Sequence, residues 1–525
     1  MGGGSSKAKP FGSIASAGKK RTDSPTQEAD QRRSGASETS LQKGRRGMFK
    51  LQSVVNLRRT ARVTEGYGEI TSPSGRKIRS PGSKRSGKLE AQLCTRYTKA
   101  DQIWAALETG HVRLVRMSWL IDFATVKEDR KGPPRIPRRQ DLPEAAFITV
   151  EELQDFYGQG SADNVLPIVA ISYCWLTQGH PDPEGHQLKA VASKLSQNKQ
   201  AYADFNFEDM GIFWDWMSMY QRDPTLWSTF MTRPDEKLNK NQLAKKRRYE
   251  NSRSAEQVDS IKWALSESMD LWYAHAGTSV FLLTEMPARF TRPTYDESGW
   301  TTYERCCTEL VKENELDYAN WRLVHELDTS GIPKNRRKSS HTMPRKGRRW
   351  PIGPHDFDVI IKNKAFTNGA DCDSVSALYR RLSTELLGST LMLDFESMPP
   401  PTEEDAARLG RCLNLCDHLE TLNLNSVHMS DSASVALFSA LSDNALPMVK
   451  ELALNDNRID DGGMQALADA FSRGALRRIR NQYTNPSDRS LDDKEAFNQL
   501  TSGINLAENP GSRSPISSVL GAPIF

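Results

Sequence analysis

The sequence predicts an α/β protein with a doubly wound, mostly parallel sheet, a short repetitive C-terminal segment and a disordered N-terminal tail. Three observations point there. Between residues 161 and 390, short apolar runs of the kind that form strands buried on both faces alternate with helix-spaced segments. Near the C-terminus, LETLNLNSV from Leu419 and VKELALNDN from Val449 repeat at a period of 30. The first 90 residues hold 20 Lys and Arg against 7 Asp and Glu, so the net charge of +5 divides into +13 for this tail and −8 for the rest.

The tail, taken as residues 1–92, is rich in Ser, Gly and basic residues and poor in aromatics, so it cannot bury enough apolar surface to offset its ordering entropy. Residues 93–160 read as a helical lead-in: TKADQIWAALETGHVRLVRMSWLIDFA and the stretch 149–157 carry apolar residues at helical spacing, separated by GPPRIPRR. The α/β unit is assigned to 161–390. Its first strand is VLPIVAISYCW from Val165, followed by a helix, HQLKAVASKLSQ, and a second strand, GIFWDWMS from Gly211. Residues 221–253 and 331–355 are basic insertions. SAEQ from Ser254 has the form of a capping box, with Val258, Ile261, Leu265, Met269 and Trp272 following at helical spacing. TSVFLLTEM is the third strand, and Ser298 is the predicted N-cap of the next helix, SGWTTYERCCTEL, which places Trp300, Glu304, Cys307 and Val311 on one face. Residues 391–480 form the repetitive segment, with LMLDFESM from Leu391 as a degenerate earlier copy, and 481–525 is a second tail.

Several classes are excluded. No apolar run approaches the ~18 residues needed to span a bilayer, and the N-terminus lacks the apolar core of a secretory signal, so a cytoplasmic chain is expected. Seven scattered cysteines give neither a disulfide framework nor zinc spacing. HPDPEGH offers His180, Asp182, Glu184 and His186, but reads as an exposed polar loop, and no metal is expected. Nucleic acid is not an expected partner, because no aromatics interleave with the basic residues. MGGGSSK does match the N-myristoylation pattern, with Gly2 as acceptor. One such lipid holds a protein only marginally, with an association constant of about 10⁴ M⁻¹, so the basic tail would have to supply the second attachment, to the inner face of a membrane.

ISYCW, FWDWMSMYQ, YAHAGTSVFLL and GWTTYE occur in the order found in heterokaryon-incompatibility (HET) domains, which this chain resembles over about residues 165–315. HET domains in turn resemble TIR domains. The sequence departs from the family pattern at Leu176, where glycine is expected, and at MSMYQ. The resemblance implies a cytoplasmic defence or cell-death signalling role. In TIR domains that cleave NAD, the glutamate of a W-x-x-x-E helix is the catalytic carboxylate, and Trp300 and Glu304 keep that spacing. Glu304 is therefore the candidate catalytic residue, with NAD as substrate and no resident cofactor. A carboxylate suits the reaction because positive charge develops on the ribose as nicotinamide departs. Ser172, Tyr173, Trp175, Trp214, Asp215 and Trp300 are the candidate substrate-binding residues. The C-terminal L-x-x-L-x-L spacing resembles leucine-rich repeats, which implies a protein partner. The alternative is a non-catalytic scaffold that self-assembles through the HET/TIR-like unit and binds a partner through the repeats.

Overall fold

A computed structural model describes residues 96–125, 134–160, 165–310, 312, 323–327, 349–366, 371–396 and 398–479, together with three two-residue strands. Gly2, Val311, most of the tails and most of the second basic insertion lie outside the described residues. Two of the short strands, Ile70–Thr71 and Lys77–Ile78, pair antiparallel inside the stretch expected to lack structure.

The architecture is mixed α/β with a mostly parallel sheet. Its strands are β1 (Val115–Arg116), β2 (Ile168–Tyr173), β3 (Gly211–Phe213), β4 (Ser279–Leu283) and β5 (Val324–Leu327), in the spatial order β1-β3-β2-β4-β5. β2 is parallel to β3 and β4, β4 is parallel to β5, and only β1 runs antiparallel, against β3. Every residue of β2, β3 and β4 is buried, as a parallel sheet covered on both faces requires. The period of two distributes the side chains of β2. Val169, Ile171 and Tyr173 join one apolar cluster, with Leu188, Val191 and Leu195 of the helix His186–Asp204. Ile168 and Ala170 join the other, with Trp272, Tyr273 and Tyr303.

Two corrections to the sequence reading follow. β1 lies within the predicted lead-in, so residues 93–160 contribute an edge strand and are not a separate helical element. The second strand ends at Phe213, because Asp215–Ser218 forms one helical turn in which the Asp215 carboxylate accepts from the Trp216 backbone N–H. The capping box at Ser254 is present, but the helix it starts passes through a π segment, Ala264–Ser268, that shifts the register of the apolar face before Met269.

The C-terminal strands β6 (Met392–Asp394), β7 (Thr421–Asn423) and β8 (Glu451–Ala453) are adjacent and parallel, with Leu393, Leu422 and Leu452 in register, and Ile504–Asn505 pairs parallel beyond β8. Each of β6, β7 and β8 is followed by a helix: Glu403–Leu413, Asp431–Ser439 and Asp461–Ser472. Leu422, Leu424, Leu452 and Leu454 are all buried. Asn457 closes the turn after β8. Its Oδ1 accepts from the Met429 backbone N–H at 2.9 Å, and its Nδ2 donates to the carbonyls of Leu424 and Leu454 at 2.9 Å. This segment shares one continuous apolar cluster with the α/β unit. Arg411 donates two hydrogen bonds to Asp356 at 2.9 and 2.8 Å across the junction, and Trp350 packs on Phe395. Among the described residues no helix is long and apolar enough to cross a membrane.

Candidate functional site

The parallel strands follow one another as β2, β3, β4 and β5, yet β3 lies on one side of β2 and β4 on the other. The winding direction therefore reverses between β2 and β4. In open α/β sheets the crevice at the carboxyl ends of such a strand pair is where ligands bind. A cavity of about 550 Å³ lies there, lined by residues 174–178 after β2, by 289–293 after β4, and by Ser298, Ala365 and Phe366.

Its walls are held by identifiable contacts. Trp175 is half-buried and packs edge-on against Trp216 at 5.1 Å between ring centres. Phe366 is brought in by a parallel bridge between Ser298 and Ala365, with the Gly299 N–H donating to Ala365 at 2.9 Å and the Ala365 N–H donating to Glu297 at 2.8 Å. Phe366 lies so close over Gly299 that a β-carbon there would stand 2.1 Å from the ring. The glycine of GWTTYE is thus fixed by close approach. Cys174 is also in the wall, but burial pushes its thiol up to about 12, so it is no nucleophile at neutral pH.

Beneath the cavity lies a hydrogen-bonded chain. Ser172, on the face of β2 that meets the helix Gly299–Glu309, donates to Glu304 Oε2 at 2.6 Å, and its own oxygen lies 2.5 Å from the Tyr295 hydroxyl. Since Ser172 spends its proton on Glu304, Tyr295 is the donor in that second bond. The Tyr273 hydroxyl, close to Glu304, donates to the Ile171 carbonyl at 3.1 Å. Burial pushes the Glu304 carboxyl well above the usual carboxylate range, against the hydrogen bond from Ser172, which favours its charge. Burial also raises Asp215, which accepts from the Tyr173 hydroxyl at 2.5 Å.

The predicted residues separate as follows. Trp175 lines the cavity. Ser172, Tyr173 and Glu304 are buried, and Asp215 is half-buried; none of these four lines it. Glu304, the candidate catalytic residue, is thus enclosed and does not face the cavity. Trp214 is fully buried against Tyr173 and has no face for a substrate. Trp300 turns to the helix Asp371–Ser389, where its indole N–H donates to Asp371 at 3.1 Å, and it does not wall the cleft. Ser298 stands at the N-cap, but its side chain makes no capping hydrogen bond.

The HPDPEGH loop has a structural task. The Asp182 carboxylate accepts from the backbone N–H groups of His186 and Leu188 at 2.9 Å and so caps the following helix. His180 Nδ1 accepts from the Asp182 N–H, which leaves Nε2 to donate to Ile136. Among the described residues no cluster of His, Cys, Asp and Glu is arranged to hold a metal.

Arg289, Phe290, Arg292 and Phe366 are cavity residues that the sequence reading missed. The signal was available for the first three: MPARFTRP follows the third strand, where a doubly wound sheet gathers its functional groups. Comparison of the chain with protein-family models, curated proteins and solved structures gives no match.

Proposed function

We propose that the chain is a HET/TIR-like signalling protein of the defence or cell-death type. Its α/β unit takes NAD into the cavity, and Glu304 becomes the cleaving carboxylate when copies of the unit assemble. The observation that carries this reading is placement: Glu304 is tied to Ser172 near the end of β2, and Cys174, two residues on, is already cavity wall. In the reaction water replaces nicotinamide at the ribose carbon, and nicotinamide leaves with the bonding electron pair. Burial favours the neutral form of Glu304, which offers no negative charge to that transition state. The unassembled chain is therefore the inactive form, and activity requires the hydrogen-bonded chain to open and Glu304 to ionise.

The second reading is a non-catalytic scaffold, and the enclosure of Glu304 is the observation that favours it. Under either reading the C-terminal strands and helices act as leucine-rich repeats that bind a protein partner, in the cytoplasm, with Gly2 and the basic tail attaching the chain to a membrane. NAD consumption by full-length protein, compared at dilute and assembling concentrations, tests the choice. Cleavage confined to the assembled protein supports the enzyme, and no cleavage at any concentration supports the scaffold.

A further inference from the structure

We propose that Arg289 and Arg292 form an anion subsite that holds the pyrophosphate of a nucleoside diphosphate group, and that Arg289 reaches this ligand by exchanging it for Glu184. The proposal rests on the reading of the cavity as a nucleotide site and adds what part of the ligand is recognised and at what cost to an existing contact.

Both guanidiniums belong to one short loop after β4, and both line the cavity. The same wall carries Trp175, Phe290 and Phe366, so cationic forks and aromatic faces share one enclosure. That pairing of chemistries suits a ligand with a flat base at one end and adjacent phosphates at the other, since a guanidinium matches phosphate oxygens two at a time and a ring offers a base its π-face. Thr177 and Gln178 add neutral polar groups to the same wall.

The two arginines differ in setting. Arg292 is half-buried in the cavity wall, where burial disfavours its charge. Arg289 stands at the mouth. It is ion-paired with Glu184, touches His186, and lies over the Phe290 ring at 5.1 Å. Glu184 also lies 3.3 Å from His186 Nε2. With Arg289 52% exposed and Glu184 40% exposed, this is an ion pair that water screens and that holds weakly. A diphosphate, with more negative charge and more acceptors than one carboxylate, displaces Glu184 from Arg289. The contact joins the loop before the helix His186–Asp204 to the loop after β4, so the exchange frees one cavity wall from the other.

The two halves predict opposite signs. Titration calorimetry of the full-length protein with ADP, adenosine and inorganic pyrophosphate should show ADP binding that falls at least 10-fold in Arg292→Gln and tightens several-fold in Glu184→Gln. Adenosine should bind more weakly than ADP and respond to neither change, and pyrophosphate alone should bind more weakly than ADP but with the same two responses. Melting curves confirm that each variant is folded, and Glu184→Gln, at an exposed position, keeps the test open should Arg292→Gln fail to fold. ADP that does not bind the wild type, or binds Arg292→Gln equally well, overturns the subsite. Unchanged or weaker ADP binding in Glu184→Gln overturns the exchange. The subsite and the enzyme reading fail separately. ADP binding that needs Arg292, in a protein that never cleaves NAD, leaves the subsite standing, whereas NAD cleavage unaltered in Arg292→Gln removes the subsite alone.

Discussion

Glu304 accepts a hydrogen bond from Ser172 at 2.6 Å at the carboxyl end of the central strand, and the Ser172 oxygen lies 2.5 Å from the Tyr295 hydroxyl. The glutamate whose spacing from Trp300 suggests catalysis is thus buried outside the cavity lining, where burial favours its neutral form.

A pH dependence follows from that enclosure. A carboxyl with a raised folded-state pKa keeps its proton in the folded chain where the unfolded chain has lost it. Its contribution to stability is therefore full below the ordinary value of 4.5 and is lost as pH rises above it. Glu304→Gln keeps the shape and cannot ionise, so it should be more stable than wild type at pH 8 by about 1 to 3 kcal/mol, the scale of an unmet buried polar demand. Denaturant melts at pH 4 and pH 8 check this, and a difference that does not grow with pH counts against a neutral Glu304.

Gly299→Ala should distort the cavity while leaving Glu304 in place. The added carbon would meet the Phe366 ring at 2.1 Å, and overpacking of this kind costs about 1 to 3 kcal/mol. Melting temperature and ADP affinity should both fall. An unchanged affinity would mean that Phe366 is no part of the binding wall.

In the C-terminal segment Leu454→Ala should cost about 2 to 5 kcal/mol, as for a packed leucine. Asn457→Ala leaves a backbone N–H and two carbonyls without their side-chain partner, at about 1 to 3 kcal/mol for each buried group stranded. Both are read from denaturant unfolding of the full-length protein, where melts matching wild type would contradict the packing.

Under the proposed attachment by lipid and basic tail together, Gly2→Ala should release the protein from the membrane fraction of cells. Removing the basic residues while keeping Gly2 should do the same. Fractionation checks both, and retention of Gly2→Ala on membranes would show that no lipid is attached there.

The buried strands were legible because a parallel sheet covered on both faces needs continuous apolar runs, and VLPIVAISYCW and TSVFLL are such runs. β1 was not, because Val115 and Arg116 lie in RLVRMSWLIDF, whose spacing serves the following helix equally well. The turn Asp215–Ser218 was hidden for a related reason: Trp214, Trp216 and Met217 continue the apolar character of the strand before it, and the Asp215 carboxylate on the Trp216 N–H marks the change. Of the site, the helix bearing Glu304 was legible from spacing. Its partners Tyr273 and Tyr295 were not, since only the fold brings them to one point. Phe366 was equally hidden, because its place depends on the bridge from Ala365 to Ser298.

The most direct test of the central claim is NAD consumption by full-length wild type and Glu304→Gln, each measured dilute and at assembling concentration. The account predicts no cleavage by the dilute proteins, cleavage by assembled wild type, and a rate lower by about 10²-fold or more in assembled Glu304→Gln, as when a transition-state stabiliser is removed. Equal cleavage by Glu304→Gln, or none by assembled wild type, would contradict it.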